Sequence, residues 1–114
     1  MIQQFNIYQK FDKIRDNWIP KITGELNGQY IKLTKIKDEL IWLSHENEDE
    51  MFVVFKGNLI VDFKDRNTTT TRPGEVLIIP KGVKHRPRTN GEEVWVMIIE
   101  PKETIDVGKG FEWI

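Results

Sequence analysis

The chain has 114 residues, 39% hydrophobic and 11% aromatic, which is enough for one core, too little for two, and too apolar for wholesale disorder. Seventeen Lys and Arg against eighteen Asp and Glu leave a net charge of -1, scattered along the sequence, so nothing points to a nucleic-acid partner. The lack of cysteine excludes disulfide scaffolds, zinc ribbons and thiol catalysis.

The first ten residues carry no apolar stretch of the secretory kind. The apolar runs Met51 to Phe55 and Val94 to Ile99 are far shorter than the about 20 residues a membrane helix needs. The expectation is a cytoplasmic protein with no membrane partner.

In the first twenty residues Phe5, Ile7, Phe11, Ile14 and Trp18 recur at spacings of two to four, and Pro20 stops any helix after Trp18. This predicts an N-terminal arm over residues 1–20, extended at first, with one short helix or turn around Asp12 to Asn17. Its aromatics need cover, either on the domain's own sheet or on a second copy.

After Pro20 the period becomes two. Ile22, then Ile31, Leu33 and Lys35–Ile36, then Leu40 to Leu43 read as short strands, with Asn27-Gly28 as a strong hairpin signal. Met51 to Phe55, Leu59 to Phe63, the β-branched run Thr68 to Thr71, Val76 to Ile79 and Val94 to Ile99 follow. Ile79-Pro80-Lys81-Gly82 suits a type I turn with Pro second and Gly fourth. Eight or nine short strands predict an antiparallel sandwich or barrel over residues 21–101, with a weakly patterned tail over 102–114.

Phe52, Val54, Val76, Ile78, Val96 and Ile98 are the core candidates. Trp42, out of phase with Leu43, should pack against the arm or a partner. Trp95 and Met97 line either the mouth of the pocket or an interface. Lys84, Arg86 and Arg88 flank His85, where they serve solubility or meet an anionic substrate. The acidic run Glu46, Glu48 and Asp49 reads as a solvated connection.

The chain has two histidines, and their placement is specific. His45 stands five residues before Glu50, and Glu50 seven before Gly57. Gly74 is six before Pro80, Pro80 two before Gly82, and Gly82 three before His85. Transition metals take imidazole nitrogens and carboxylate oxygens that converge from different strands.

These spacings resemble the two motifs of the cupin superfamily. Sixteen residues between Gly57 and Gly74 match the short inter-motif loop of small single-domain members. The resemblance covers roughly residues 31–101. Lys37 replaces a motif glycine, Thr89 a motif asparagine, and Leu43 the first motif histidine.

The resemblance implies an all-β fold, an antiparallel double-stranded β-helix or jelly-roll barrel with a short arm. It also implies a metal held by three imidazoles and a carboxylate, of which His45, Glu50 and His85 remain here. Two imidazoles and a carboxylate can form a facial set for divalent iron, manganese, nickel or zinc. Leu43 and Phe52, with Trp95 and Met97, are the pocket candidates.

The implied function is binding of a divalent metal and a small organic ligand inside the barrel, with dioxygenase-like or other small-molecule chemistry. The alternative is a non-catalytic ligand-binding or sensing barrel with a degenerate metal site. A weaker alternative is a sugar-phosphate isomerase-like enzyme, resting on Lys84, Arg86 and Arg88. The sequence leaves enzyme and binding protein both open, and it predicts a homodimer.

Overall fold

The computed structural model describes residues 2–102 and 112–114. Helix α1 is a single turn, Ile7–Phe11, capped by Asn6, whose side chain accepts from the Gln9 N–H at 3.0 Å. The helical turn therefore lies earlier than the expected Asp12 to Asn17, which is turn and bend. Ile7 and Phe11, four apart, form one helical face, whereas Trp18 leaves the helical region at φ 68° and donates its backbone N–H to the Lys35 carbonyl at 2.9 Å.

Strands β1 (Lys21–Leu26) and β2 (Gln29–Ile36) form a hairpin in which Leu26 pairs with Gln29. Asn27 at φ 51° and Gly28 at φ 74° make the intervening turn of the type I′ kind, as their identities predict. β3 (Glu50–Lys56), β4 (Leu59–Phe63), β5 (Thr69–Thr71), β6 (Val76–Ile79), β7 (His85–Arg88) and β8 (Val94–Pro101) follow. β9 (Glu112–Trp113) lies parallel to β1, and the remaining pairs are antiparallel. Most of the expected tail, residues 103–111, lies outside the described residues.

The strands form a six-stranded sheet in the order β6-β3-β8-β2-β1-β9 and a three-stranded sheet in the order β5-β4-β7. Together they make the expected jelly roll. Leu40 to Leu43 is not a full strand. The chain from Glu39 to Leu43 touches β7 at two isolated bridges, Glu39 with Arg88 and Leu43 with His85. β7 itself carries Pro87, which its edge position in the smaller sheet tolerates.

The core lies between the sheets. Phe52 and Val54 from β3, Leu59 and Val61 from β4, and Val94, Val96 and Ile98 from β8 are all buried there. Val76 and Ile78, expected in the core, are instead 54% and 60% exposed. β6 is an edge strand whose inward phase falls on Leu77 and Ile79. A run of four apolar residues offers no alternation from which to read that phase.

A second cluster covers the outer face of the large sheet. Phe11, Ile14 and Leu33 are buried there, with Ile7, Phe55, Trp95 and Met97 packed around them. Phe11 stacks on Trp95 with ring centroids 5.0 Å apart. The arm thus covers its own sheet. Trp95 and Met97, odd-numbered residues of β8, turn toward the arm and pack in this cluster.

Gly57 ends β3 at φ 74°, and a Cβ there would come within 2.9 Å of Val94 Cγ2 and 3.0 Å of the Glu93 carbonyl. Both the backbone and the space demand glycine at this motif position. No helix among the described residues is long and apolar enough to cross a membrane.

Candidate metal centre

Three backbone features bring the motif residues together. Glu50 opens β3 in the inward phase shared with Phe52 and Val54. His45 sits in the preceding loop, and its carbonyl accepts from the Gly82 N–H at 2.8 Å. The Asp49 carboxylate accepts from the Lys81 N–H at 2.9 Å, so the Pro80-Lys81-Gly82 turn is stitched to the loop that carries His45. That turn runs Pro80 to Val83, closed by the Val83 N–H on the Pro80 carbonyl, with Gly82 third at φ 78°. This is one residue later than predicted, because the Gly82 N–H is taken by His45.

His85 opens β7 and exchanges two 2.9 Å backbone hydrogen bonds with Leu43. Its Nδ1 lies 2.9 Å from the Val83 carbonyl, an acceptor only, so Nδ1 carries the proton and Nε2 presents a lone pair. A backbone carbonyl on the far nitrogen is the usual support of a ligating imidazole.

Glu50 stands between the two rings. His45 Nε2 lies 3.3 Å from Glu50 Oε2, and His85 Nε2 lies 3.4 Å from Glu50 Oε1. Burial pushes the Glu50 carboxyl up, but where the flanking imidazoles of His45 and His85 carry a proton their attraction outweighs burial and holds it at about 2. Glu50 Oε1 and His85 Nε2 are both buried without a hydrogen-bond partner.

A cavity of ≈ 60 Å³ adjoins this group, lined by Trp18, Thr34, Leu40, Leu43, His45, Glu50 and Phe52 among others. Leu43 and Phe52 line this pocket with His45 and Glu50, and His85 lies on the other oxygen of Glu50.

Two further residues, Glu100 and Lys32, were not singled out from the sequence. Glu100 lies near the end of β8, buried at 1% exposure, and one of its carboxylate oxygens falls within 4.8 Å of ligand atoms of His45 and Glu50. Lys32 on β2 bonds Glu100 at 2.9 Å, with both side chains fully buried. Alternation along β8 puts Glu100 on the inward face with Val96 and Ile98, and that phase was the available signal.

The remaining candidates point elsewhere. Arg86 and Arg88 reach outward to Asp62 at 3.0 and 2.7 Å, and Trp42 lies between Lys64 and Arg86 at 4.1 and 5.1 Å rather than against the arm. The arginines that carried the phosphosugar reading therefore face away from the pocket. Among the acidic run, Glu46 accepts from Ser44 on the exposed surface.

Hydrogen bonds from Arg88, then Arg86 and Thr68, outweigh burial and hold the Asp62 carboxyl well below its ordinary value of 3.8. A depressed carboxylate contributes stability that is present above its unfolded value and lost as pH falls toward the folded one. Asp62→Asn should cost about 1–2 kcal/mol at neutral pH. It should also flatten the stability curve below about pH 4, as read by urea unfolding across that range.

A two-sheet jelly roll with two imidazoles and a carboxylate gathered beside its pocket defines a barrel built around a candidate metal centre. The chain belongs to the cupin family, whose "Cupin domain" model matches residues 35–101. Over 66 residues it is 38% identical to the uncharacterized protein YdbB of Bacillus subtilis, so it spans about 58% of the length of that curated relative, and 58% of this chain is matched. The crystal structure of a cupin-2 domain containing protein from Shewanella frigidimarina superposes with a TM-score of 0.82 at 39% identity, covering 86% of this chain and 94% of that one. Protein NMB1881 from Neisseria meningitidis gives 0.80 at 30% identity, covering 88% of this chain and 100% of that one.

Proposed function

We propose that this protein holds one divalent transition-metal ion on His45, Glu50 and His85 and presents it to a small organic ligand in the barrel. The observation that carries this reading is the pair of buried atoms, His85 Nε2 and Glu50 Oε1, 3.4 Å apart and each without a hydrogen-bond partner. Two acceptors facing each other in a buried site are costly, and a cation between them satisfies both.

The donor set is one that iron, manganese, nickel and zinc accept. Such an ion, when bound, supplies Lewis-acid polarisation of a ligand oxygen. The chain does the rest. The Val83 carbonyl fixes the His85 tautomer, Glu50 brings the negative charge, and Leu43 and Phe52 keep the wall beside the donors apolar. The Thr34 hydroxyl, buried in the pocket wall with no hydrogen-bond partner, is placed to meet a polar group of the ligand.

The test is elemental analysis of protein purified without chelator, followed by titration with Zn²⁺ or Mn²⁺. About one equivalent bound, with a rise in melting temperature, is the expected result. Less than about a tenth of an equivalent, with none regained on titration, contradicts it.

The apolar wall supplied by Leu40, Leu43 and Phe52 favours a second reading, a ligand-binding or sensing barrel whose metal site has degenerated. Leu43→His separates the two. Leu43 pairs with His85 through the β-bridge, so an imidazole there would sit on the same face as the His85 ring. Under the metal reading this variant should bind Zn²⁺ at least about tenfold more tightly in a chelator competition; unchanged affinity favours the degenerate site.

The reading includes a homodimer. Phe11 is covered within the chain, whereas Ile2 and Tyr8 on the arm and Val76 and Ile78 on the edge strand β6 stand exposed and offer apolar surface to a second copy. Light scattering at micromolar concentration should return twice the chain mass of 13.5 kDa, and a monomeric mass rules this part out.

A further inference from the structure

The Lys32–Glu100 pair has no role in the reading above, and its placement asks for one. Both side chains are fully buried, and the Nζ to Oε1 distance is 2.9 Å. A buried ion pair is rarely a source of stability, since an apolar pair of similar volume does as well or better. This one comes from neighbouring strands: Lys32 pairs with Ile98 across β2 and β8, two positions from Glu100. It also abuts the donor set. One ligand atom each from His45, Glu50 and Glu100 lies within 4.8 Å of the others, and His85 joins this group through Glu50, its Nε2 3.4 Å from Glu50 Oε1. Donors on a single ion at bond lengths of about 2.0–2.2 Å are at most about 4.4 Å apart, so a small closure brings all three onto one ion.

Resting on the metal reading of His45, Glu50 and His85, we infer that Glu100 is the fourth ligand, in place of the histidine that Leu43 displaces, and that Lys32 is the internal cation that neutralises Glu100 until the metal enters. The charges fit. Glu50 and Glu100 are two anions in a buried site, and one ammonium leaves a residual negative charge that a divalent cation reverses. Lys32 opposes the metal twice, by holding Glu100 and by repelling a second cation. The site therefore folds without metal at the expense of affinity. That trade explains why a lysine, and not an apolar residue, stands behind the carboxylate.

The experiment titrates Co²⁺ into the full chain and three variants, with chelator competition for affinity and visible absorption for the donor set. Lys32→Met should bind Co²⁺ at least about tenfold more tightly than wild type. Lys32→Met combined with Glu100→Met, which replaces the pair by apolar side chains and keeps the fold, should bind at least about a hundredfold more weakly than Lys32→Met alone. Equal affinity of those two variants overturns the inference. Where Lys32→Met alone fails to fold, the Co²⁺ spectra of wild type and the double variant decide: a changed spectrum supports Glu100 as a ligand, and identical spectra overturn it. Glu50→Gln separates the two levels, because undiminished Co²⁺ binding in that variant, or none in wild type, overturns the metal reading beneath.

Discussion

Glu50→Gln is expected to lower affinity for a divalent metal by at least about a hundredfold while leaving the barrel folded. The substitution keeps the shape and removes the charge that two imidazoles surround, at 3.3 Å from His45 and 3.4 Å from His85. It also converts one carboxylate oxygen into an amide nitrogen, a poor metal ligand. Glu50 is 5% exposed, so no solvent compensates for the lost charge. In the metal-free protein the amide can donate to an imidazole nitrogen, which limits the loss of stability to about 1 kcal/mol. Calorimetric titration with Zn²⁺ and urea unfolding of the metal-free form measure the two effects. Retained affinity would place the metal elsewhere.

Phe11→Ala is expected to cost about 3–5 kcal/mol, a large part of the stability of a domain this size. Phe11 has no exposed surface; it stacks on Trp95 and contacts Phe55 with ring centroids 5.9 Å apart. A helix of five residues cannot stand on its own hydrogen bonds, so packing is what holds α1 in place. Loss of the ring leaves a cavity under the arm and exposes Trp95. Urea unfolding and tryptophan emission should report the lower midpoint and a red shift together. A loss below about 1 kcal/mol would mean that the arm is not integral to the fold.

Where the sequence carried two-state information, it read through to the structure. Asn27-Gly28 specified the hairpin because both residues tolerate positive φ, and Val96 and Ile98 on the last strong strand lie in the core as expected. The motif spacing put His45 and His85 each beside a Glu50 oxygen. Val76 to Ile79 failed because four apolar residues in a row hide which face is inward. β7 was hidden by Pro87 and two arginines, which are tolerated there only because the strand is an edge and its even residues face Asp62. The helix itself starts earlier than expected, at the cap Asn6, and the stretch from Asp12 to Asn17 carries only turn and bend.

Lys32 and Glu100 escaped for a different reason. Both faces of β2 are covered, one by the smaller sheet and one by the arm, so its burial shows no alternation that would mark Lys32 as buried. Glu100 was readable in principle from the phase of β8. A charged residue at the end of a strand normally marks the exit to solvent, and only the register with β2 reveals that Glu100 is still inside the barrel.

The central claim is that His45, Glu50 and His85 hold one ion. Anomalous diffraction at the zinc edge from crystals grown with Zn²⁺ tests it most directly. The account predicts a single strong peak about 2.0–2.2 Å from His45 Nε2, His85 Nε2 and a Glu50 oxygen. A barrel with no peak beside Glu50, or a peak held only by exposed side chains such as Glu46 or Asp49, would contradict it.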